Sequence, residues 1–433
     1  MIHFEDVLPK SRDLFLADLD KDSIEEVLVL RDLRGRVRLF LKPKPGAEPS
    51  VSKVCGRLQP ILERELGHFW GKVIEPDTEK GAFADVLRPV RDERQPIKPA
   101  SEYPKWWIIE RHTTKSGWTL RQHEPPWPLV KQAPAIVSFY SHKGGVGRTT
   151  ALCAVAIHAA RKGRKVVAVD LDLEAPALGT LLAGTSPPAV GVTDYLLEKL
   201  LAGGSYAPDL DEFTALQTQP ELIGEGGETI VCVPAGKVNE HYIEKLARLD
   251  YELMAHPVAS EREPLSDLLR QLKARYTPNL ILLDCRAGLH DLGGLAVQRL
   301  SHANVIFGLD SQQSWDGLRC IVRALGSFDR PPPCLLVQAM ESPFADAHRE
   351  EARGRFLNAS YEVFCELFYE EDDVPDIASS SEAHFPARLP YVQALAGYQN
   401  LSQALEPLLG EHYRAFVERA EALIAKTSLD VEA

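Results

Sequence analysis

"SHKGGVGRTT", residues 141–150, decides how the rest of the chain is read. An all-apolar run, "AIVSFY" (135–140), leads into it, and "TTALCAVAIHAARKG" (149–163) leaves it as a predicted helix that stops at Gly163. Gly144, Gly145 and Gly147 can take positive φ and bring backbone close to an anion with no Cβ in the way. Their N–H groups, at the amino end of a helix, make a cradle for phosphate. Thr149 is placed to offer its hydroxyl to Mg²⁺. Where loops of this pattern carry a phosphate-gripping lysine, this one carries Arg148.

Outward from the loop, short and nearly all-apolar runs alternate with helical stretches. "KVVAVDLD" (165–172), "TIVCVPAG" (229–236), "LILLDCRAG" (280–288), "NVIFGLD" (304–310) and "CLLVQAM" (334–340) read as strands buried on both faces. That pattern predicts an α/β fold, a mostly parallel sheet covered by helices. Asp170 and Asp172 stand at the exit of one strand and Asp284 at the exit of another. Ligands of open α/β sheets gather at those carboxyl ends, and carboxylates there can hold Mg²⁺.

The first 130 residues read differently. "EEVLVLRDLRGRVRLFLKP" (25–43) predicts a hairpin, "SVSKVCGRLQPILERELGHFW" (50–70) a helix interrupted or kinked at Pro60, and "KWWIIERHTTKSGWTLRQ" (105–122) a second hairpin turning at Lys115-Ser116-Gly117. Five of the six tryptophans fall here, Trp70, Trp106, Trp107, Trp118 and Trp127, and are assigned to core and cross-strand positions. Adjacent Trp106 and Trp107 should face opposite sides of a strand. The predicted organisation is a small α+β amino-terminal domain, 1–125, a proline-rich linker, 126–134, and a large α/β domain, 135–433.

Composition narrows the function classes. The 433 residues are 45% hydrophobic and 26% charged, as in a soluble protein of two or three domains. Net charge is −13, and residues 1–130 are nearly balanced, with 22 basic and 21 acidic side chains, so the surplus belongs to the remainder. Without a basic cluster to displace counterions, nucleic acid is not an expected partner. No apolar run spans a bilayer and the opening "MIHFEDVLPKSRDLF" has no secretion pattern, so a cytoplasmic location is expected. Seven scattered cysteines without CxxC spacing read as buried thiols.

"KGGVGRTT" resembles the deviant Walker A motif, KGGxGK[ST], of the MinD/ParA class of dimerising P-loop ATPases, and is similar to a KGGVGR variant subgroup. "VDLDLEAP", "GVTDYL" (191–196) and "VPAG" (233–236) match the loops of that class in character and order, over roughly residues 135–400. The resemblance implies Mg-ATP binding by the loop Lys143, Gly144, Gly145, Val146, Gly147, Arg148, Thr149 and Thr150. It implies that Lys143 is the signature lysine, reaching nucleotide across a dimer interface, and that Thr149, Asp170 and Asp284 serve the metal. Asp172 would orient the attacking water, and Gln338 stands where the class often has an asparagine reading adenine. The implied protein is a slowly hydrolysing ATPase, a nucleotide-dependent homodimer that acts as a conformational switch for a protein partner read through the amino-terminal domain; the KGGVGR subgroup resembles ATPases of bacterial defence gene clusters.

Arg148 is the departure. Arginine is planar and forked where lysine is a point charge, so the exchange is not conservative. Two outcomes are physically open: Arg148 grips the β and γ oxygens and turnover is slow, or nucleotide is held without hydrolysis and the chain is a sensing scaffold. Losing one transition-state contact costs about 10²–10³ in rate.

Other features take plainer readings. Residues 411–426 predict an amphipathic last helix packed on the sheet, since glutamates share its polar face with arginines where a membrane-surface helix would be rich in Lys and Arg. "YEEDDVPD" (369–376) reads as a solvated acidic loop and His142 as a loop residue. Residues 200–228, rich in Gly, Pro and polar side chains, fit either an ordered insertion or a lid.

Overall fold

The computed structural model describes residues 2–429 apart from 19, 80, 98–103, 112–117, 119–122, 131–132, 184–186, 256–263, 345–346 and 399. It divides into two compact units, Met1–Thr113 and Thr114–Ala433.

In the smaller unit, α1 (Val7–Leu16) precedes the hairpin of β1 (Ile24–Arg31) and β2 (Val37–Pro43). Then come α2 (Glu48–Leu66), β3 (Trp70–Pro76), β4 (Gln95–Pro96) and β5 (Lys105–Glu110), giving the sheet order β3-β2-β1-β5-β4. Helix α2 continues across Pro60, because Val51, Val54, Cys55, Leu58, Leu62 and Leu66 form one buried stripe at i, i+3 and i+4 spacing. Trp106 and Trp107 do lie on opposite faces, in separate apolar clusters. Of the second expected hairpin only β5 is described, parallel to β1 on one side and antiparallel to β4 on the other; the turn at 115–117 and the return stretch 119–122 lie outside the described residues.

The larger unit holds an eight-stranded sheet in the order β13-β12-β11-β6-β10-β7-β9-β8. β6 (Ala135–Ser141), β7 (Val166–Leu171), β9 (Ile230–Val233), β10 (Leu280–Cys285), β11 (Ala303–Gly308), β12 (Cys334–Glu341) and β13 (Ala387–Pro390) are all parallel. β8 (Ala215–Gln217) alone is antiparallel, at the edge. It comes from the 200–228 stretch, which is therefore an ordered insertion supplying a strand.

Both faces of the sheet are covered, which is why its strands read as unbroken apolar runs. Ile136 and Tyr140 of β6 enter one core, and Ala135, Val137 and Phe139 enter the other. The first core is closed by α4 (Val192–Ala202), α6 (Pro264–Tyr276), α7 (Gln312–Gly326) and α8 (Ala347–Leu367). The second is closed by α3 (Arg148–Arg161), α9 (Leu401–Leu409) and α10 (Glu411–Leu429). Helix α5 (Tyr242–Ala255) packs beside α4. On α10, Tyr413, Phe416, Val417 and Ala420 are buried in that core, as a packed last helix requires. No described helix is long and apolar enough to cross a membrane. Five cysteines are buried, Cys365 is half-buried and Cys320 is exposed; the seven are free thiols.

Trp118 and Trp127 pack within this larger unit, not with the other tryptophans. Trp118 lies against Tyr140 and donates to the His290 carbonyl at 2.7 Å. Trp127 donates to the Pro134 carbonyl at 2.9 Å and stands beside His302.

His302 ties the proline-rich segment to the sheet. Its Nδ1 accepts from the Ile136 N–H at 2.9 Å, which leaves Nε2 to donate to the Trp127 carbonyl at 2.8 Å. Burial, against the pull of the Trp127 carbonyl, lowers its pKa to about 4. A base held neutral in the fold takes up its proton more readily unfolded, so stability is full above the unfolded pKa near 6.5 and drains as pH falls toward 4. Urea unfolding of the larger unit should therefore weaken by roughly 3 kcal/mol between pH 7 and pH 4. His302→Asn should flatten most of that slope, and an unchanged slope in the variant would show that other groups carry it.

Candidate functional site

At the end of β6 the chain turns through residues 142–147 into α3. Gly145 and Gly147 sit at φ of 73° and 79°, conformations that exclude ordinary side chains, and a Cβ on Gly144 or Gly145 would meet open space. Val146 points the other way and anchors the loop in the core. Among the described residues, the N–H groups of Gly144, Gly145, Val146 and Gly147 have no hydrogen-bond acceptor, and they lie where the first-turn N–H groups of α3 are also unpaired by helix geometry. The loop is an open cradle of donors.

Beneath it, two strand ends deliver the acids. β10 lies between β6 and β7, and Asp284 is directly opposite Asp170 in the β10–β7 register. Both are fully buried. Asp170 accepts the Asp172 and Leu178 N–H groups, both at 3.1 Å, and so shapes the turn that carries Asp172. Burial and the neighbouring Asp284 charge push its pKa well up. Burial also raises that of Asp284, against the opposing pull of Arg148 and Thr149.

Arg148 closes the arrangement from the first turn of α3. Its Nε donates to Asp284 Oδ1 at 2.9 Å, Nη2 to Asp172 Oδ2 at 2.8 Å and Nη1 to the Ser141 hydroxyl at 2.9 Å. Burial works against its charge, but Asp284 and Asp172 outweigh burial and hold its pKa above the ordinary value. Thr149 donates to the second oxygen of Asp284 at 2.6 Å. The structure thus brings Arg148, Thr149, Asp170, Asp172 and Asp284 into one cluster, with the guanidinium aimed at the acids.

The other anticipated residues lie around this cluster. Lys143 is half-buried and makes no ion pair or hydrogen bond with a described residue. The Thr150 hydroxyl meets that of Tyr398 at 3.0 Å. Gln338, on β12, is buried with its Oε1 unpaired, an orphan acceptor of the kind a ligand satisfies. His142 is more than a loop residue. Its ring packs against Gly317 of α7, where a Cβ would come within 2.1 Å of it.

Ser141, Tyr398 and Tyr242 escape the sequence reading. Ser141 precedes the motif and matters only because Arg148 turns toward it. Tyr242 donates to the Leu173 carbonyl at 2.7 Å, pinning the residue after Asp172. Its hydroxyl also meets that of Thr193 at 3.3 Å, and Val192 and Thr193 of GVTDYL donate through their backbone to the Pro234 and Ala235 carbonyls of VPAG, both at 2.9 Å. Glu174, two residues after Asp172, pairs with Arg286 and lies 3.2 Å from His290, so the loops after β7 and β10 are also joined.

Residues 137–342 match the family model described as the CobQ/CobB/MinD/ParA nucleotide binding domain. The match spans a little under half of the chain, and that segment is similar to the family's nucleotide-binding domain. Similar solved structures include the cell division ATPase MinD of Pyrococcus furiosus, at 21% identity over 67% of this chain and 98% of that one, with a TM-score of 0.43. The septum site-determining protein MinD of Pyrococcus horikoshii, complexed with Mg-ADP, is 19% identical over 67% and 96%, with a TM-score of 0.42. Cobyrinic acid a,c-diamide synthase of Mycobacterium smegmatis, with bound ATP analogue and magnesium, is 18% identical over 66% and 93%, with a TM-score of 0.40. No curated protein matches the chain.

The GVTDYL–VPAG junction is close-packed enough to test. A Cβ on Gly191 would lie 2.2 Å from the Pro234 carbonyl oxygen, so Gly191→Ala must push backbone apart. Denaturant unfolding of the variant should show a loss of about 1–3 kcal/mol. An unchanged midpoint would mean the two loops yield without cost.

Proposed function

We propose that this MinD/ParA-type nucleotide-binding domain binds Mg-ATP, hydrolyses it slowly and works as a nucleotide-dependent dimer, a conformational switch for a protein partner. One observation carries the reading: an open cradle of unpaired N–H groups stands directly above Thr149, Asp172 and Asp284. The donor set fits the group. Backbone N–H groups 144–149 suit a phosphate chain, a hydroxyl and carboxylates suit Mg²⁺, and the orphan Oε1 of Gln338 suits an amino-bearing base such as adenine.

In this reading Thr149 and Asp284 hold the metal, with Asp170 supporting from behind, and bound Mg²⁺ neutralises charge on the phosphates. Asp172 orients water, Lys143 supplies a point charge from its own or a partner chain, and Arg148 grips phosphate oxygens. The dimer reading is supported by exposed apolar side chains. Val238, Ile243, Leu289, Phe344 and Tyr391 follow the carboxyl ends of parallel strands, and Met340 is the penultimate residue of β12, on the edge that carries the glycine loop. The smaller, amino-terminal unit is proposed as the domain that meets the protein partner, in a cytoplasmic regulatory or defence system, with no nucleic-acid or membrane role.

A second reading is favoured by Arg148 itself. With all three arms engaged by Asp284, Asp172 and Ser141, it is positioned to restrain the acids, as suits a scaffold that senses nucleotide without hydrolysing it.

ATP turnover measured alongside light scattering separates the two. Slow wild-type turnover is expected, falling about 10²–10³-fold in Asp172→Ala. The ATP-dependent dimer should be lost in Lys143→Ala. Tight ATP binding without wild-type turnover, especially with hydrolysis appearing in Arg148→Lys, would overturn the enzyme and leave the sensor.

A further inference from the structure

All six carboxylate oxygens in the cluster already accept a hydrogen bond from the protein. Asp170 receives the Asp172 and Leu178 N–H groups, and Asp172 receives Ala175 N–H at 3.3 Å and Arg148 Nη2. Asp284 receives Arg148 Nε and the Thr149 hydroxyl. No group of three metal-ligating side chains stands open among the described residues. Four of the six bonds come from backbone or from Thr149, and the other two come from one side chain, Arg148. The guanidinium never loses its proton, so its charge leaves the acids only when the side chain moves. Mg²⁺ sheds water reluctantly and demands near-octahedral oxygen ligands, so it competes poorly with an arginine already seated.

We propose that Arg148 is the resident cation of this site and imposes an order of binding: phosphate first, metal second. Planar guanidinium pairs with phosphate in the same forked geometry it uses for carboxylate. Arg148 gives up Asp284 and Asp172 when a phosphate chain in the glycine cradle offers its fork another seat. Those acids are then free for the metal. Magnesium alone has no purchase. A lysine at 148, with one ammonium, has no fork to span Asp284, Asp172 and Ser141, so the ordering belongs to the arginine. Ser141 is a positioning residue: its buried hydroxyl holds the third arm and keeps the fork over both acids.

The inference rests on the nucleotide reading, yet its main test needs no turnover. The full chain, free of nucleotide, is titrated with Mg²⁺ alone by calorimetry and by thermal unfolding. Wild type should give no binding isotherm and no shift in melting at millimolar Mg²⁺. Arg148→Ala should melt roughly 5–10 °C lower, from leaving buried Asp284 and half-buried Asp172 uncompensated, and millimolar Mg²⁺ should restore much of the loss. Should that variant not fold, Ser141→Ala keeps the charge but loosens its seat, and should give a measurable magnesium isotherm where wild type gives none. ATP in the presence of EDTA should bind wild type, and magnesium should bind that complex. One Mg²⁺ bound to nucleotide-free wild type, or variants as indifferent to magnesium as wild type, would overturn the ordering. Failure of ATP to bind under any condition, with the magnesium responses as expected, would instead remove the nucleotide reading and leave Arg148 as a purely internal counterion.

Discussion

Everything at the centre of the larger unit depends on one buried cation set against two acids, one buried and one half-buried. Arg148 is 7% exposed, and Asp284 beneath it is wholly enclosed. Taking either charge from water is costly, and only the pairing, with every arm of the guanidinium on an oxygen, offsets it. Removing one partner of such a set strands the others, at about 3–5 kcal/mol. The three partners come from three strand ends and the cation from a helix. The contact therefore fixes β6, β7, β10 and the first turn of α3 against one another. The glycine loop that joins β6 to α3 is left free of that work, with its N–H groups pointing outward and unpaired.

The parallel sheet makes this convergence possible. With seven strands running one way, the loops after β6, β7, β9, β10 and β12 all emerge on one edge. Their contacts there are specific. Tyr242 pins the carbonyl next to Asp172, GVTDYL bonds to VPAG, and Glu174 links the loop after β7 to Arg286 and His290 after β10. A change in charge at Asp172 or Asp284 thus has short mechanical routes to the surface, through Tyr242 to α5 and through His142 to Gly317 of α7. That connectivity is what the proposed nucleotide switch needs, since loops that order around a γ-phosphate and relax without it are one form of switching transition.

Much of this was legible in the sequence, for reasons that also mark the limits. Strands buried on both faces must be apolar throughout, so β6, β7 and β9–β12 announced themselves, and the first hairpin did so by its Gly-containing turn. β8 and β13 did not, being three and four residues long and defined by the neighbours they join. Pro60 misled because a buried apolar stripe outweighs a local helix breaker. Trp118 misled because adjacency along the chain says little about which core a side chain enters. In the site, the glycines, Thr149 and the strand-ending acids were readable because phosphate and metal chemistry constrain residue type and spacing. The direction in which Arg148 points was not. A motif records that a cation is present, while the choice between acids below and phosphate above is set by three-dimensional distances, and so Ser141 carried no signal of its own.

The most direct measurement is a structure of the full chain with Mg²⁺ and a non-hydrolysable ATP analogue, inspected at the Arg148 guanidinium. The expected result is that Arg148 has left Asp284 and Asp172 for phosphate oxygens, with the metal beside Thr149 and Asp284. A guanidinium still bonded to both acids, with nucleotide and metal in place, would contradict the central claim that Arg148 is the cation the nucleotide must displace.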